Sequence, residues 1–220
     1  MEGVSFLLPI EFDLAATFLA ALTGVWAASR RGYDLVGAFM LALVTSVGGG
    51  LLRDSVFIAQ VPLVMQDARY LGAISAALVV GALTYRWSER VSHLFSYTDA
   101  LAMGVYGVYG ANWALISGIA PVASILVGLC NAVGGGLIRD VLVREEPLMF
   151  KPGQLYAIAA AAGCTLYVAL SQYSVVNDEH AAWIAIAVTL ALRVLAVRFN
   201  WTTTAVREWW QQRKDPGPGS

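Results

Sequence analysis

Seven residues, Gly48-Gly49-Gly50-Leu51-Leu52-Arg53-Asp54, recur almost unchanged as Gly134-Gly135-Gly136-Leu137-Ile138-Arg139-Asp140. The two copies lie 86 positions apart in a chain of 220 residues. The same shift, without a gap, aligns four further pairs of identical residues: Asp13 with Asp99, Gly24 with Gly110, Gly32 with Gly118, and Tyr70 with Tyr156. Several identities at one offset indicate an internal repeat of two halves.

The residues around both copies are strongly apolar. Hydrophobic residues make up 58% of the chain and charged residues 13%, whereas about a quarter of a soluble domain is charged. A membrane-crossing helix needs roughly 20 mostly apolar residues. Seven such stretches are present: Leu14–Ala28, Leu35–Ala59, Tyr70–Tyr85, Ala100–Leu115, Pro121–Val143, Leu155–Val176 and Ala181–Val197. These runs lack the alternation of a membrane barrel, so they predict an all-α integral membrane protein with seven transmembrane helices.

The repeat predicts how these helices are organised. Each half contains three of them, and an odd number turns the second half upside-down relative to the first. We therefore predict a first three-helix repeat over residues 1–92, a second, inverted three-helix repeat over 93–178, a seventh helix over 179–203 and a polar cytoplasmic tail over 204–220. Inverted repeats are typical of channels and secondary transporters, whose sites lie near the bilayer midplane at the repeat interface.

The Lys and Arg residues predict the orientation, because cytoplasmic loops carry an excess of them. With the N-terminus outside, twelve of these residues fall on the inner side, and the outer side holds only Arg53 and Arg69. We therefore predict an N-out, C-in protein that crosses the inner or plasma membrane several times, with the lipid bilayer as its main surroundings. Arg193 and Arg198 on the last helix are expected to anchor it to the inner headgroups.

The composition argues against several classes of function. A net charge of −1 offers no electrostatic footprint for nucleic acid. Cys130 and Cys164 both lie in apolar runs and suggest neither a disulfide framework nor a metal site. The chain shows no phosphate loop, no zinc-binding helix and no Ser/His/Asp set. We expect no enzyme activity and no cofactor.

The glycine runs, Gly48, Gly49, Gly50 and Gly134, Gly135, Gly136, require an explanation because glycine costs about 1 kcal/mol of helix propensity relative to alanine. One interpretation is a kink or local unwinding, with exposed carbonyls that coordinate a cation. Polar residues precede each run and would line the same path: Thr45, Ser46 and Asn131. The other interpretation is a tight helix crossing, for which small residues are routinely used. Both interpretations can hold together.

Charged residues follow each glycine run within one helical turn: Arg53, Asp54, Arg139 and Asp140. Ionisable groups inside a membrane are costly and indicate a function with a partner. Adjacent residues on a helix do not face each other, so we expect the partners to come from other helices. We predict two symmetric pairs, Asp13–Arg53 and Asp99–Arg139, that act as a gate or charge clamp near opposite mouths of one path. The alternative is that these side chains snorkel to the headgroups.

Two three-helix halves, each with Gly-Gly-Gly-x-x-Arg-Asp, and a seventh helix resemble the prokaryotic branch of the TRIC (trimeric intracellular cation) channel family. Its bacterial members are also catalogued as an uncharacterised or glycine-transporter-domain membrane family. The resemblance covers about residues 8 to 200 and implies a homotrimer with a separate path in each protomer. It also implies conduction of monovalent cations, potassium preferred, with the second and fifth helices kinked at the glycines and lining the pore.

Sequence and resemblance together favour a passive, potassium-permeable channel whose pore lies within each protomer, between the inverted halves. The expected ligand is the permeant potassium ion. The alternative is a secondary transporter of a small solute such as glycine, because the sequence predicts a path but not how solutes move along it. A scaffold that builds a trimer without moving any solute is a third possibility.

Overall fold

The computed structural model describes residues 7–90, 93–151, 155–173 and 176–201. In this part of the chain there is no strand, which confirms the all-α prediction. Seven helices have 17 residues or more: α1 Ile10–Arg30, α2 Leu35–Leu51, α3 Arg69–Arg90, α4 Leu94–Ile116, α5 Pro121–Leu142, α6 Tyr156–Gln172 and α7 Asp178–Arg198. The tail at 204–220 and the junction between the halves at residue 92 fall outside the described residues.

Four of these helices are long and apolar enough to cross a membrane by themselves: α1, α2 with its continuation to Phe57, α5 and α7. Helix α6 is a shorter apolar helix. Most helices are longer than the hydrophobic stretches predicted, because polar residues at their ends are also helical. Helix α4, for example, begins at Leu94 rather than Ala100 and so includes Asp99.

Helices α1 and α4 end in the same way, which explains one of the aligned glycine pairs. Gly32 follows α1 with φ +70° and Gly118 follows α4 with φ +81°. In each case the next backbone N–H donates to a carbonyl five residues earlier, that of Ala28 at 3.1 Å and that of Ala114 at 3.0 Å. A left-handed residue at this position of a helix end favours glycine, so the repeat preserves a turn as well as helices.

The helices pack as two equivalent sets. In the first half α1, α2 and α3 contact one another, and in the second half α4, α5 and α6 do the same. Between the halves, α1 packs against α4 and α2 against α5, so equivalent helices meet. This is the arrangement expected of two halves related by a twofold axis. Helix α7 packs mainly on α4 and α6.

The two glycine runs lie at the crossing of α2 and α5. A Cβ atom added to Gly49 would overlap the carbonyl oxygen of Asn131, and one added to Gly135 would overlap the carbonyl oxygen of Thr45. A Cβ on Gly134 would lie 3.2 Å from the Cα of Gly49. The glycines therefore let the two backbones touch, which is the packing role that small residues have in membrane helices.

Local unwinding, one form of the first interpretation of the glycines, is absent, because both runs are continuous α-helix. The first helix widens just after its run instead. From Leu52 to Phe57 it is a π-helix, and the Ile58 N–H donates to the Arg53 carbonyl at 3.1 Å. The equivalent stretch of the second half stays α-helical. A π-bulge often marks a functional site, and this one carries Arg53 itself.

Candidate functional site: two buried charge clusters

The first charge cluster, here called the Arg53 cluster, consists of Arg53, Asp13, Asp54 and Tyr70. The Arg53 guanidinium contacts Asp13 (Nη1 to Oδ1, 3.3 Å) and binds both oxygens of Asp54 (Nε to Oδ1, 2.6 Å; Nη2 to Oδ2, 3.0 Å). The Tyr70 hydroxyl donates to Oδ2 of Asp13 at 2.5 Å. The Arg53 residue is only 1% exposed. One buried cation is thus held by two carboxylates from α1 and the π-helix.

Further groups fix the geometry of the Arg53 cluster. The backbone N–H of Leu63, at the start of a short helical turn Leu63–Gln66, donates to Oδ2 of Asp54 at 3.0 Å. The guanidinium carbon of Arg53 lies 5.2 Å from the centre of the Tyr109 ring and 5.9 Å from that of Trp113. Such cation–π contacts stabilise a desolvated guanidinium. Arg53 is therefore enclosed by carboxylates on one side and aromatic rings on the other.

The second cluster, the Arg139 cluster, consists of Arg139, Asp99, Asp140 and Tyr156. Arg139 contacts Asp99 (Nη1 to Oδ1, 2.7 Å) and Asp140 (Nε to Oδ1, 2.9 Å). The backbone N–H of Leu148 donates to Oδ2 of Asp140 at 3.2 Å. The Tyr156 hydroxyl and Asp99 both lie beside Gly136. Arg139 is 1% exposed, so the second half repeats the first in residue types and burial.

Both predicted ion pairs, Asp13–Arg53 and Asp99–Arg139, are present. The expectation that each arginine would not contact the adjacent aspartate is wrong: Arg53 contacts Asp54, and Arg139 contacts Asp140. Adjacent side chains leave a helix in different directions, but the arginine side chain is long enough for its guanidinium to reach the neighbouring carboxylate. Snorkelling is also wrong for the arginines, because protein atoms cover their guanidinium groups.

Each cluster is completed by a residue from the other half. The Thr23 hydroxyl, in the first half, accepts a hydrogen bond from Nη1 of Arg139 at 2.8 Å. The Tyr109 ring, in the second half, lies against Arg53. Thr23 and Tyr109 are 86 positions apart, so they occupy equivalent places. Aligning the two halves of the sequence did not identify them, because their residue types differ.

The polar residues before the glycine runs are buried at the crossing of α2 and α5 and meet Tyr106 of α4. The Tyr106 hydroxyl donates to the Ser46 carbonyl at 2.6 Å and lies 3.0 Å from the Thr17 hydroxyl. The Asn131 amide donates to the Tyr106 carbonyl at 2.6 Å. The Thr45 hydroxyl and Asn131 Oδ1 are buried without a hydrogen-bond partner among the described residues. Unpaired polar atoms therefore lie beside the crossing.

A small cavity joins the Arg53 cluster to the first glycine run. Its polar side chains come from α1, α2, the π-helix, α3 and α4: Asp13, Thr17, Ser46, Arg53, Asp54, Tyr70 and Tyr106. Gly50 of the first glycine run lines it as well. The cavity therefore places carboxylate, hydroxyl and backbone groups of the first half around one small space, which Tyr106 of the second half also lines.

Besides Thr23 and Tyr109, four further site residues were not identified from the sequence: Tyr70, Tyr106, Tyr156 and Arg193. Tyr70 and Tyr156 align in the repeat at the same offset as the charged residues. That alignment was the signal that could have identified them. Tyr106 carried no such signal, since its equivalent in the first half is Ala20. Arg193 was expected to reach the headgroups, but it is 1% exposed, and its guanidinium carbon lies 4.8 Å from the centre of the Tyr156 ring.

Replacing Tyr106 by Phe tests whether its hydroxyl holds the crossing together. The substitution leaves the Ser46 carbonyl and the Thr17 hydroxyl without this partner, so we expect a loss of about 1–2 kcal/mol of stability. Tyr173→Phe is the control, because Tyr173 is 81% exposed at the end of α6. Thermal unfolding in detergent measures both. Equal melting temperatures for the two variants would contradict a role for the Tyr106 hydroxyl.

The chain is similar to a known family of membrane proteins. A family model described as glycine transporter matches the chain twice, over residues 11–88 and 96–172. A UPF0126 membrane protein of Deinococcus radiodurans is 36% identical over 155 residues, 69% of this chain and 71% of that protein. The UPF0126 inner membrane protein YadS of Escherichia coli is 29% identical over 86% of this chain and 91% of its own length.

One solved structure with a similar fold is that of a TRIC trimeric intracellular cation channel orthologue from Rhodobacter sphaeroides. The TM-score is 0.81 with 28% sequence identity, and the match covers 86% of this chain and 97% of the other. The similarity therefore extends over most of both chains.

Proposed function

Since this chain belongs to the glycine-transporter family of membrane proteins, we propose that it is a passive channel for monovalent cations, with potassium as the permeant ion. The observation that carries this proposal is the similarity in fold to a solved cation channel along nearly the whole chain. The buried charge clusters are consistent with it, because paired carboxylates prevent the arginines from repelling cations.

The proposed pore lies within each protomer, between the inverted halves, where α2 and α5 cross. Unpaired oxygen atoms of Thr45 and Asn131 beside the crossing support this placement, as does the cavity between the first glycine run and the Arg53 cluster. The glycine runs bring the two helices together at the narrowest part of the path. The two charge clusters act as clamps on either side, and movement of α2 against α5 opens or closes the path.

The proposed arrangement in the membrane is that of a homotrimer in the inner membrane, with seven spanning helices, the N-terminus outside and the C-terminus inside. The distribution of Lys and Arg supports this orientation. Large apolar side chains on the outer faces of the helices, such as Leu83 and Val122 with 77% and 75% exposed, suit contact with lipid or with other protomers. The solved relative is described as trimeric, and the E. coli relative as an inner membrane protein.

Single-channel recording in a planar bilayer under a potassium gradient tests the proposal. We expect discrete current steps that reverse near the potassium equilibrium potential, and none from bilayers treated with detergent buffer alone. A silent bilayer together with saturable glycine uptake into liposomes from the same preparation would contradict the channel and favour the secondary transporter.

Asp13→Asn tests the proposed role of the Arg53 cluster as a clamp. The substitution weakens the 3.3 Å contact with Arg53 but leaves the bidentate contact with Asp54, so the protein should still fold. We expect a change of about tenfold in open probability, which corresponds to about 1.4 kcal/mol, with an unchanged reversal potential. Glu11→Gln is the control, since the Glu11 side chain is 70% exposed. A shift in reversal potential without a change in gating would contradict the clamp.

A further inference from the structure

The two charge clusters are alike in their repeated residues but not in the neighbour that α7 supplies. Helix α7 lies outside the repeat and packs beside the second half, where it contributes Arg193. Arg193 is 1% exposed, and its guanidinium carbon lies 4.8 Å from the centre of the ring of Tyr156, which belongs to the Arg139 cluster. No helix supplies an equivalent arginine to the Arg53 cluster among the described residues.

Arg193 changes the net formal charge of the Arg139 cluster. Each cluster holds two carboxylates and one guanidinium of its own, which leaves one net negative formal charge. Arginine remains protonated in proteins, so Arg193 brings the Arg139 cluster to zero. The Arg53 cluster keeps its negative charge. Charges interact strongly in the low-dielectric interior, so this difference acts on any cation that passes between the clusters.

Among the described residues, no charged side chain outside the two clusters is buried except Arg193, and solvent screens exposed charges. Near the Arg53 cluster, the exposed side chains of Arg69 and Glu11 lie 3.8 Å apart. Near the Arg139 cluster, Arg30 at the exposed end of α1 lies over the Phe95 ring, 4.8 Å from its centre, and Arg139 contacts the same ring. The two ends therefore differ in their net buried charge, and Arg193 is the source of that difference.

We propose that Arg193 makes the two ends of the cation path electrically unequal, so that single channels pass more current when cations enter at the Arg53 cluster. The inference rests on the proposed function as a cation channel and assigns Arg193 a positioning role on the permeant ion. A negative site at one entrance raises the local concentration of cations there. An entrance neutralised by Arg193 lacks that effect.

The test compares single-channel currents at equal and opposite voltages in symmetric potassium chloride. Single channels are used because mixed insertion would average the asymmetry away. For the parent protein we expect a current ratio of about 2 or more. Arg193→Gln leaves both clusters negative, and Asp54→Asn leaves both neutral, so both variants should bring the ratio close to 1. They differ in current: Arg193→Gln raises the smaller current, whereas Asp54→Asn lowers the larger one.

Two variants separate charge from structure. Arg193→Lys keeps the positive charge and should keep the asymmetry, whereas a role in packing alone would not be restored by lysine. Arg198→Gln, on the exposed end of the same helix, should leave the ratio unchanged. If Arg193→Gln does not fold, Asp54→Asn still tests the inference. It removes the charge difference between the clusters by neutralising the Arg53 cluster.

The outcomes distinguish this inference from the proposed function. A parent protein that conducts with a current ratio of 1, or an Asp54→Asn channel that keeps the parent ratio, would overturn the role of Arg193 and leave the channel intact. A parent protein that never conducts, but transports a solute, would overturn the channel and the inference with it.

Discussion

Gly49→Ala is expected to push α2 away from α5, to destabilise the folded protein and to remove the proposed cation current. The added methyl group overlaps the carbonyl oxygen of Asn131, which is part of a helix backbone and cannot move without moving α5. Overpacking of a tight site costs about 1–3 kcal/mol or more, and we expect the upper part of this range. In a protein of this size that corresponds to a fall of about 10 °C in melting temperature.

The neighbouring glycine provides a matched control. A Cβ atom on Gly50 meets only the end of the Arg53 side chain, at 3.8 Å, so Gly50→Ala should melt within about 2 °C of the parent. Both variants make the helix intrinsically more favourable by the same amount, which isolates the crossing as the cause. Thermal unfolding in detergent and single-channel recording measure the two consequences. Equal stability of the two variants would contradict the crossing seen in this structure.

Arg53→Gln is expected to cost about 3–5 kcal/mol, because it leaves two buried carboxylates without their shared cation. Asp13 and Asp54 are 3% and 2% exposed, so water cannot solvate them in its place. We expect little folded protein by size-exclusion chromatography of the detergent extract.

An exposed arginine gives the control, and a double substitution gives the rescue. The Arg69 side chain is 55% exposed and pairs with Asp67 at 2.7 Å, so Arg69→Gln should cost about 1 kcal/mol at most. Adding Asp54→Asn to Arg53→Gln removes one stranded charge and should restore part of the yield. If the double variant is no more stable than Arg53→Gln alone, the loss comes from shape and not from unpaired charge.

The sequence predicted the architecture because the repeat and the hydrophobic runs are independent signals that agree. Long apolar runs specify helices whatever their partners, and one offset that aligns Asp13 with Asp99 predicts which helices are equivalent. The pairing of Asp13 with Arg53 followed from the same topology, since both residues lie at the same end of adjacent helices. A charged side chain in an apolar stretch needs a partner of opposite charge, and few such partners are available, so the pairing was predictable.

The sequence could not predict contacts that depend on side-chain paths or on departures from the repeat. Each arginine side chain is long enough to reach the adjacent aspartate, which residue spacing does not reveal. Thr23 and Tyr109 complete the clusters with different chemistry at equivalent places, so identity matching passes over them. Arg193 lies outside the repeat, and a lone arginine near a helix end is more often at the membrane surface than buried.

The position of α7 has a consequence for which helix unfolds locally first. Helix α6 is covered by α7 on one side, whereas its equivalent, α3, packs mainly on α1 and α2 of its own half and contacts α4 weakly. Local unfolding occurs where few buried contacts resist it. In detergent, the backbone amides of α3 should therefore take up deuterium before those of α6, although the two helices occupy equivalent places in the repeat.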